Sequence, residues 1–117
     1  MRDAPTLYVV DIKIAMAVDY LKWIQEWYVS NCNGDWEHSF GVTLETLDNP
    51  GWSIAIDLQD TALEDKLFQD VEIERTEGDW VLCKVKSRQF KVACGPFNLI
   101  EAIGIFYDWV NDGTSRE

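Results

Sequence analysis

The sequence holds a single histidine, His38, and only 10 Lys and Arg side chains against 21 Asp and Glu. One imidazole leaves little for acid–base catalysis near neutral pH. A formal charge of −11 excludes nucleic acid and anionic membranes as the main ligand, because both polyanions demand a basic surface. The three cysteines, Cys32, Cys83 and Cys94, are an odd number without CxxC spacing. That pattern fits free thiols in a reducing compartment rather than a disulfide framework or a zinc site. The seven glycines are scattered one at a time, so no phosphate-cradling loop is present. Long apolar runs are missing too. Asp11 and Lys13 interrupt the stretch Leu7–Val18, leaving it too charged for a membrane span and a poor secretory signal despite Ala15-Met16-Ala17. These absences predict a cytoplasmic protein that uses no cofactor and no metal.

What the sequence does contain is core material: 47% hydrophobic residues and fifteen aromatics, six of them Trp, in 117 residues. One domain over residues 16–113 is expected, preceded by an arm (1–15) and followed by a frayed tail (114–117). In the arm, Val10, Ile12 and Ile14 alternate with Asp11 and Lys13, which reads as extended or strand-like. Over Ala17–Asn31 the period changes. Tyr20, Leu21, Trp23, Ile24, Trp27 and Tyr28 recur at three- and four-residue steps and predict an amphipathic helix, stopped by Asn33-Gly34.

From Phe40 the period is two. Phe40, Val42 and Leu44 form one strand, and Trp52, Ile54, Ile56 and Leu58 a second beyond the turn Asp48-Asn49-Pro50-Gly51. Asp60–Leu67 reads as turns or one helical turn. Val71 and Ile73, then Val81, Cys83 and Val85, then Phe90, Val92 and Cys94 mark three further strands. Gly95-Pro96 ends the sheet, and Asn98 with Glu101 resembles a capping box opening a second amphipathic helix that fades at Asn111-Asp112-Gly113. The expected fold is α+β: a two-layer sandwich in which a five-stranded antiparallel meander carries both helices on one face.

Charge is unevenly placed. Residues 35–79 hold 13 acidic and 2 basic side chains, whereas 80–100 hold Lys84, Lys86, Arg88 and Lys91 with no acid. On the uncovered sheet face this pattern predicts Glu45, Asp57, Glu72 and Glu74 on three consecutive strands, beside the lysines of the last two. Such a face is either solvated with cross-strand pairing or a polarised docking surface that steers a basic partner.

The densest cluster of chemistry-bearing side chains is Asn33-Gly34-Asp35-Trp36-Glu37-His38. Adjacent carboxylates and one His on a short loop rarely converge on a metal, and Cys32 with His38 lacks an orienting third group. The simpler expectation is that Asn-Gly turns the chain while Trp36 packs under the sheet end. Trp23, Trp27, Trp52 and Trp109 are expected in the core. Trp36 and Trp80, flanked by Glu37 and Asp79, are the candidates for interface anchors.

Leu21-Lys22-Trp23-Ile24-Gln25-Glu26-Trp27-Tyr28 followed by Asn33-Gly34-Asp35-Trp36-Glu37-His38 resembles the opening of the immunity protein 53 family. Leu44-Glu45-Thr46-Leu47-Asp48-Asn49-Pro50-Gly51-Trp52 and Gly95-Pro96-Phe97-Asn98-Leu99 are similar to it as well. The likeness runs from about Tyr20 to Val110 and leaves out the arm. It implies a small α+β protein of bacterial polymorphic toxin systems, not an enzyme, which protects its producer by binding a toxin domain. Joined to the acidic charge, it implies a basic toxin partner, with a nuclease as the expected target. The contact residues expected are Asp35, Trp36 and Glu37 with Glu45, Asp57, Glu72 and Glu74. The oligomeric state is left as monomer or homodimer. Two other readings are a small enzyme or metal-binding protein using the Asp35–His38 loop, and an oligomerisation module whose arm adds a strand to a neighbouring subunit.

Overall fold

The structure, a computed structural model, describes residues 18–112; the arm over 1–15 and the tail over 114–117 lie outside the described residues. The first helix, α1 (Tyr20–Asn31), starts where Asp19 accepts a hydrogen bond from the Lys22 amide at 3.0 Å. That cap satisfies one of the free N–H groups of the first turn and sets the helix start. Tyr20, Trp23, Ile24 and Trp27 project from one side of α1 and pack against the core.

Five strands follow: β1 (Val42–Leu47), β2 (Gly51–Asp57), β3 (Val71–Thr76), β4 (Asp79–Lys86) and β5 (Gln89–Cys94). All pair antiparallel, and α2 (Leu99–Asp112) closes the fold. The α+β class, the five antiparallel strands and the two amphipathic helices are as the sequence predicts.

The meander is not. The order across the sheet is β1-β2-β5-β4-β3, so β5 lies in the centre, between β2 and β4, and β3 is an edge. The segment 58–70 is the reason. A hairpin turn would be short and polar, but Leu58 and Leu63 of this segment are buried and Phe68 packs on Phe90 and Trp109. The connection is therefore part of the core. It carries the chain across to the far edge and leaves the central place to β5.

The buried face of the sheet reads directly from register. Ile54, Val92 and Cys83 stand side by side, as do Ile56, Phe90 and Val85. Phe90 is the hub: its ring centroid lies 4.9 Å from Phe106 and 6.0 Å from Trp109, and all three are fully buried. Trp23 and Trp27 of α1 reach the same cluster through Phe106, at 5.8 and 5.1 Å. Polar ends of the rings are satisfied as burial requires: Trp109 Nε1 donates to the Leu67 carbonyl at 2.7 Å, and Trp52 Nε1 to the Pro96 carbonyl at 3.1 Å.

The two-residue turn between β4 and β5 is made by Ser87 and Arg88, at φ +55° and +59°. Both sit in the left-handed region that this hairpin type needs and that suits Gly or Asn. Ser87→Gly should therefore raise the unfolding free energy by about 0.5–1 kcal/mol, the left-handed cost removed outweighing the added chain entropy. A urea titration would show this as a higher midpoint at unchanged m-value, and an unchanged or lower midpoint would refute it.

Candidate protein interface

The loop after α1 is tied into the protein rather than opened around a site. Asn33 Oδ1 accepts from the Asp35 and Trp36 amides, both at 2.9 Å. The Glu37 carboxylate accepts from Asn33 at 2.9 Å and Gly34 at 2.8 Å. Hydrogen bonds from its own amide and that of Asn33 hold this carboxyl below its ordinary value. Trp36 is only 4% exposed, its Nε1 donates to the Gln59 carbonyl at 2.9 Å, and its ring meets Trp27 edge-on. The expected anchor is thus a buried post holding the loop under the sheet end. Asp35 and His38 remain exposed, and Cys32 donates to the Tyr28 carbonyl. Among the described residues, no group of three or more His, Cys, Asp or Glu is placed to hold a metal ion.

The open sheet face also differs from its expected layout. Because β5 and β4 are central, Lys91 and Lys84 stand directly opposite each other in mid-sheet, with Ala55 beyond Lys91. Glu45 and Glu72 occupy the two edges of one row, Glu45–Ser53–Ala93–Leu82–Glu72. Four strand spacings separate them, about 19 Å. The carboxylates do not form one acidic field: Ser53, Ala93 and Leu82 lie between Glu45 and Glu72, and the Lys84–Lys91 pair stands in the next row of the same face. Asp57 is engaged internally, accepting from the Gly41 amide at 2.9 Å and Gln89 Nε2 at 2.8 Å. Glu45, Glu72 and Glu74 are exposed. A shallow depression of about 410 Å³ crosses this face, lined by Ser53, Leu82, Ala93, Lys84, Lys91 and Glu72 among others.

A third region gathers at the end of the sheet where β1 and β3 finish and β2 and β4 begin. It comprises the turn 48–50, the turn 77–78 and the β5–α2 loop 95–98. Asn98, 5% exposed, fastens them together. Its Nδ2 donates to Asp79 at 2.8 Å and Glu101 at 3.1 Å, while its Oδ1 accepts from the Trp80 amide at 3.3 Å. The side chain thus ties β4 to Glu101 of α2, and the expected capping box is replaced: the Asn98 oxygen takes the Trp80 amide and its own amide donates to the Gly95 carbonyl. Arg75 spans the same two carboxylates, 2.7 Å from Asp79 and 2.5 Å from Glu101. These partners hold Arg75 above its ordinary value, Glu101 first and Asp79 second. Asn98 and then Arg75 lower Asp79; Arg75, followed by Asn98, lowers Glu101.

Within this end, Gly95 is irreplaceable: a Cβ there would lie 2.5 Å from the Gly78 carbonyl and 2.6 Å from Asn98 Oδ1. Directly beyond it, Phe97 is 94% exposed.

The family model described as immunity protein 53 matches residues 21–111, from the first turn of α1 to the end of α2. The chain belongs to the immunity protein 53 family. No curated protein and no solved structure matches it. For this family the partner is a protein toxin, so a docking surface is what the geometry must supply. Sequence reading placed the exposed edge carboxylates Glu45, Glu72 and Glu74 on the open face, but also selected Trp36, Glu37 and Asp57, which the fold uses internally. It passed over Phe97. Its signal in the sequence is an aromatic directly after the Gly95-Pro96 that ends the sheet. In the described residues of this immunity protein 53 member, no helix is long and apolar enough to cross a membrane.

The Arg75 network has a pH signature. Asp79 and Glu101 have lowered folded values, so each stabilises the fold above its ordinary value, near 3.8 and 4.5, and this contribution is lost as pH falls through the folded values. Stability should hold from pH 7 to about 5 and fall below about 4.5, where Glu101 protonates in the unfolded chain. In Arg75→Met the acid-side fall should be shallower. Urea midpoints measured from pH 7 to 3 test this, and identical slopes in both proteins would contradict it.

Proposed function

We propose that this protein neutralises a bacterial toxin domain encoded beside it, by binding rather than by catalysis, in the cytoplasm of the producing cell. The observation that carries the reading is the family match across nearly all of the described fold. The charge of −11 supports a cationic partner, and a nuclease fits best, because a groove built to hold phosphate also attracts carboxylates. The protein acts by occlusion. Long-range attraction speeds encounter, and a small set of buried contacts then slows release.

The carboxylates offered for this role are those left free by the fold. Glu72 and Glu74 project from the β3 edge beside Trp80, and Glu45 from the opposite edge; Asp35, exposed on the α1–β1 loop at the other end of the sheet, adds to the long-range field and not to the contact. Asp57 and Glu37 serve the fold and act on the partner only through the backbone they position. Trp36 does the same.

Co-expression should rescue cells from the adjacent toxin domain. The association rate should fall steeply as salt rises from about 50 to 500 mM, since screening shortens the reach of the field. The double variant Glu72→Lys and Glu74→Lys should slow association at low salt at least about tenfold while leaving the melting temperature unchanged. Salt-independent association, or a double variant that binds at the wild-type rate, would remove the acidic β3 edge from the interface.

A further inference from the structure

The sheet end bearing Phe97 has the properties of a preformed anchor, and it deepens the toxin-binding reading on which it rests. We propose that Phe97 is the residue that seats the toxin, entering an apolar pocket bordered by cationic side chains. Phe97 is 94% exposed, the most exposed of the large hydrophobic side chains among the described residues. Leaving a phenyl ring in water forgoes about 1.5–3 kcal/mol that burial would supply. Among the described residues, no neighbouring surface covers it.

The loop that carries the ring is nonetheless rigid. The Gly95 amide donates to the Trp80 carbonyl at 2.9 Å, and the Asn98 amide to the Gly95 carbonyl at 3.1 Å. The Pro96 carbonyl is held by Trp52 Nε1, and the buried Asn98 side chain secures the far side. A floppy loop with an exposed ring would lose much of its contact energy to ordering on binding; this one arrives already ordered. Ile100, on the first turn of α2, adds a second half-exposed apolar side chain beside it.

The surroundings name the partner's charge. Asp48, Glu74, Glu77, Asp79 and Glu101 lie at this end of the sheet, and Arg75 among them is committed to Asp79 and Glu101. Elsewhere on the open face the free carboxylates are interrupted by Lys84, Lys86 and Lys91, which would repel a basic surface laid flat across the sheet. Five carboxylates against Arg75 leave this end negative, which suits a cationic toxin. An apolar anchor within a polar, charge-complementary rim is the arrangement that concentrates binding energy in one side chain.

The test measures affinity for the toxin domain encoded beside this gene, with its catalytic group removed. Phe97→Ala should weaken binding at least about 30-fold, mainly through faster dissociation, with an unchanged melting temperature. Leu67→Ala is the matched control: Leu67 is 92% exposed, its backbone carbonyl accepts from Trp109 Nε1 near the other end of α2, and loss of its side chain should change affinity less than about twofold. Wild-type affinity in Phe97→Ala, with binding by the unaltered protein intact, would overturn the anchor and leave toxin binding standing. If the unaltered protein neither binds nor protects, the toxin reading falls and the anchor with it.

Discussion

The packing of Phe90 against Phe106 and Trp109 is the contact from which the rest of the molecule follows. It fastens the middle of β5 to α2 with rings 4.9 and 6.0 Å apart, and it requires β5 to be central, because only a central strand has the helix layer squarely above it. Phe68 completes the cluster from the 58–70 connection, so the same aromatic core that stabilises the fold also draws the crossover into place. Aromatic clusters of this size dominate a small domain's stability, and truncating one member typically costs several kcal/mol. Loss of Phe90 would thus disturb the strand order as well as the core volume.

Strand order in turn decides the electrostatics of the surface. Centring β5 brings the Lys84–Lys91 pair of the β4–β5 hairpin into mid-sheet and pushes Glu72 to the margin opposite Glu45. In a protein with twice as many acids as bases, the uncovered face is therefore striped. The charge that a cationic partner can use is concentrated at the edges and at the sheet end, where Asn98 and Arg75 lock the turns around a projecting Phe97. Structure and candidate interface share one cause here: the β5–α2 loop is held still by the hydrogen bonds that join β4 to α2.

Much of this was legible in the sequence. The periodicity change from 3.6 to 2 located both helices and every strand; the apolar side is the buried one in β2, β4 and β5, whereas Val42 and Leu44 of the edge strand β1 stay exposed on that same face. The strand order was not legible from local alternation, since a period of two is blind to which strand pairs with which. Two clues did exist. β3 reads Val-Glu-Ile-Glu-Arg-Thr, the charge-rich composition of an edge strand, whereas β5 alternates buried Phe90, Val92 and Cys94 with Gln89, Lys91 and Ala93, a single charge among six residues. The long 58–70 segment, rich in Leu and Phe, argued against a hairpin. The candidate site was less legible. Exposed and internally engaged carboxylates look alike in sequence, and only coordinates separate Asp57, bonded to Gly41 and Gln89, from Glu45, which is exposed at the sheet margin.

The decisive property is which end of the sheet meets the toxin. Each end displays its own loops, so hydrogen–deuterium exchange of the protein, alone and bound to the inactivated toxin domain, discriminates directly. Slowed exchange in 48–50, 77–78 and 95–98, with 33–41 and 59–67 unchanged, is the predicted footprint. Protection confined to the 33–41 and 59–67 loops would place the toxin at the opposite end and contradict it.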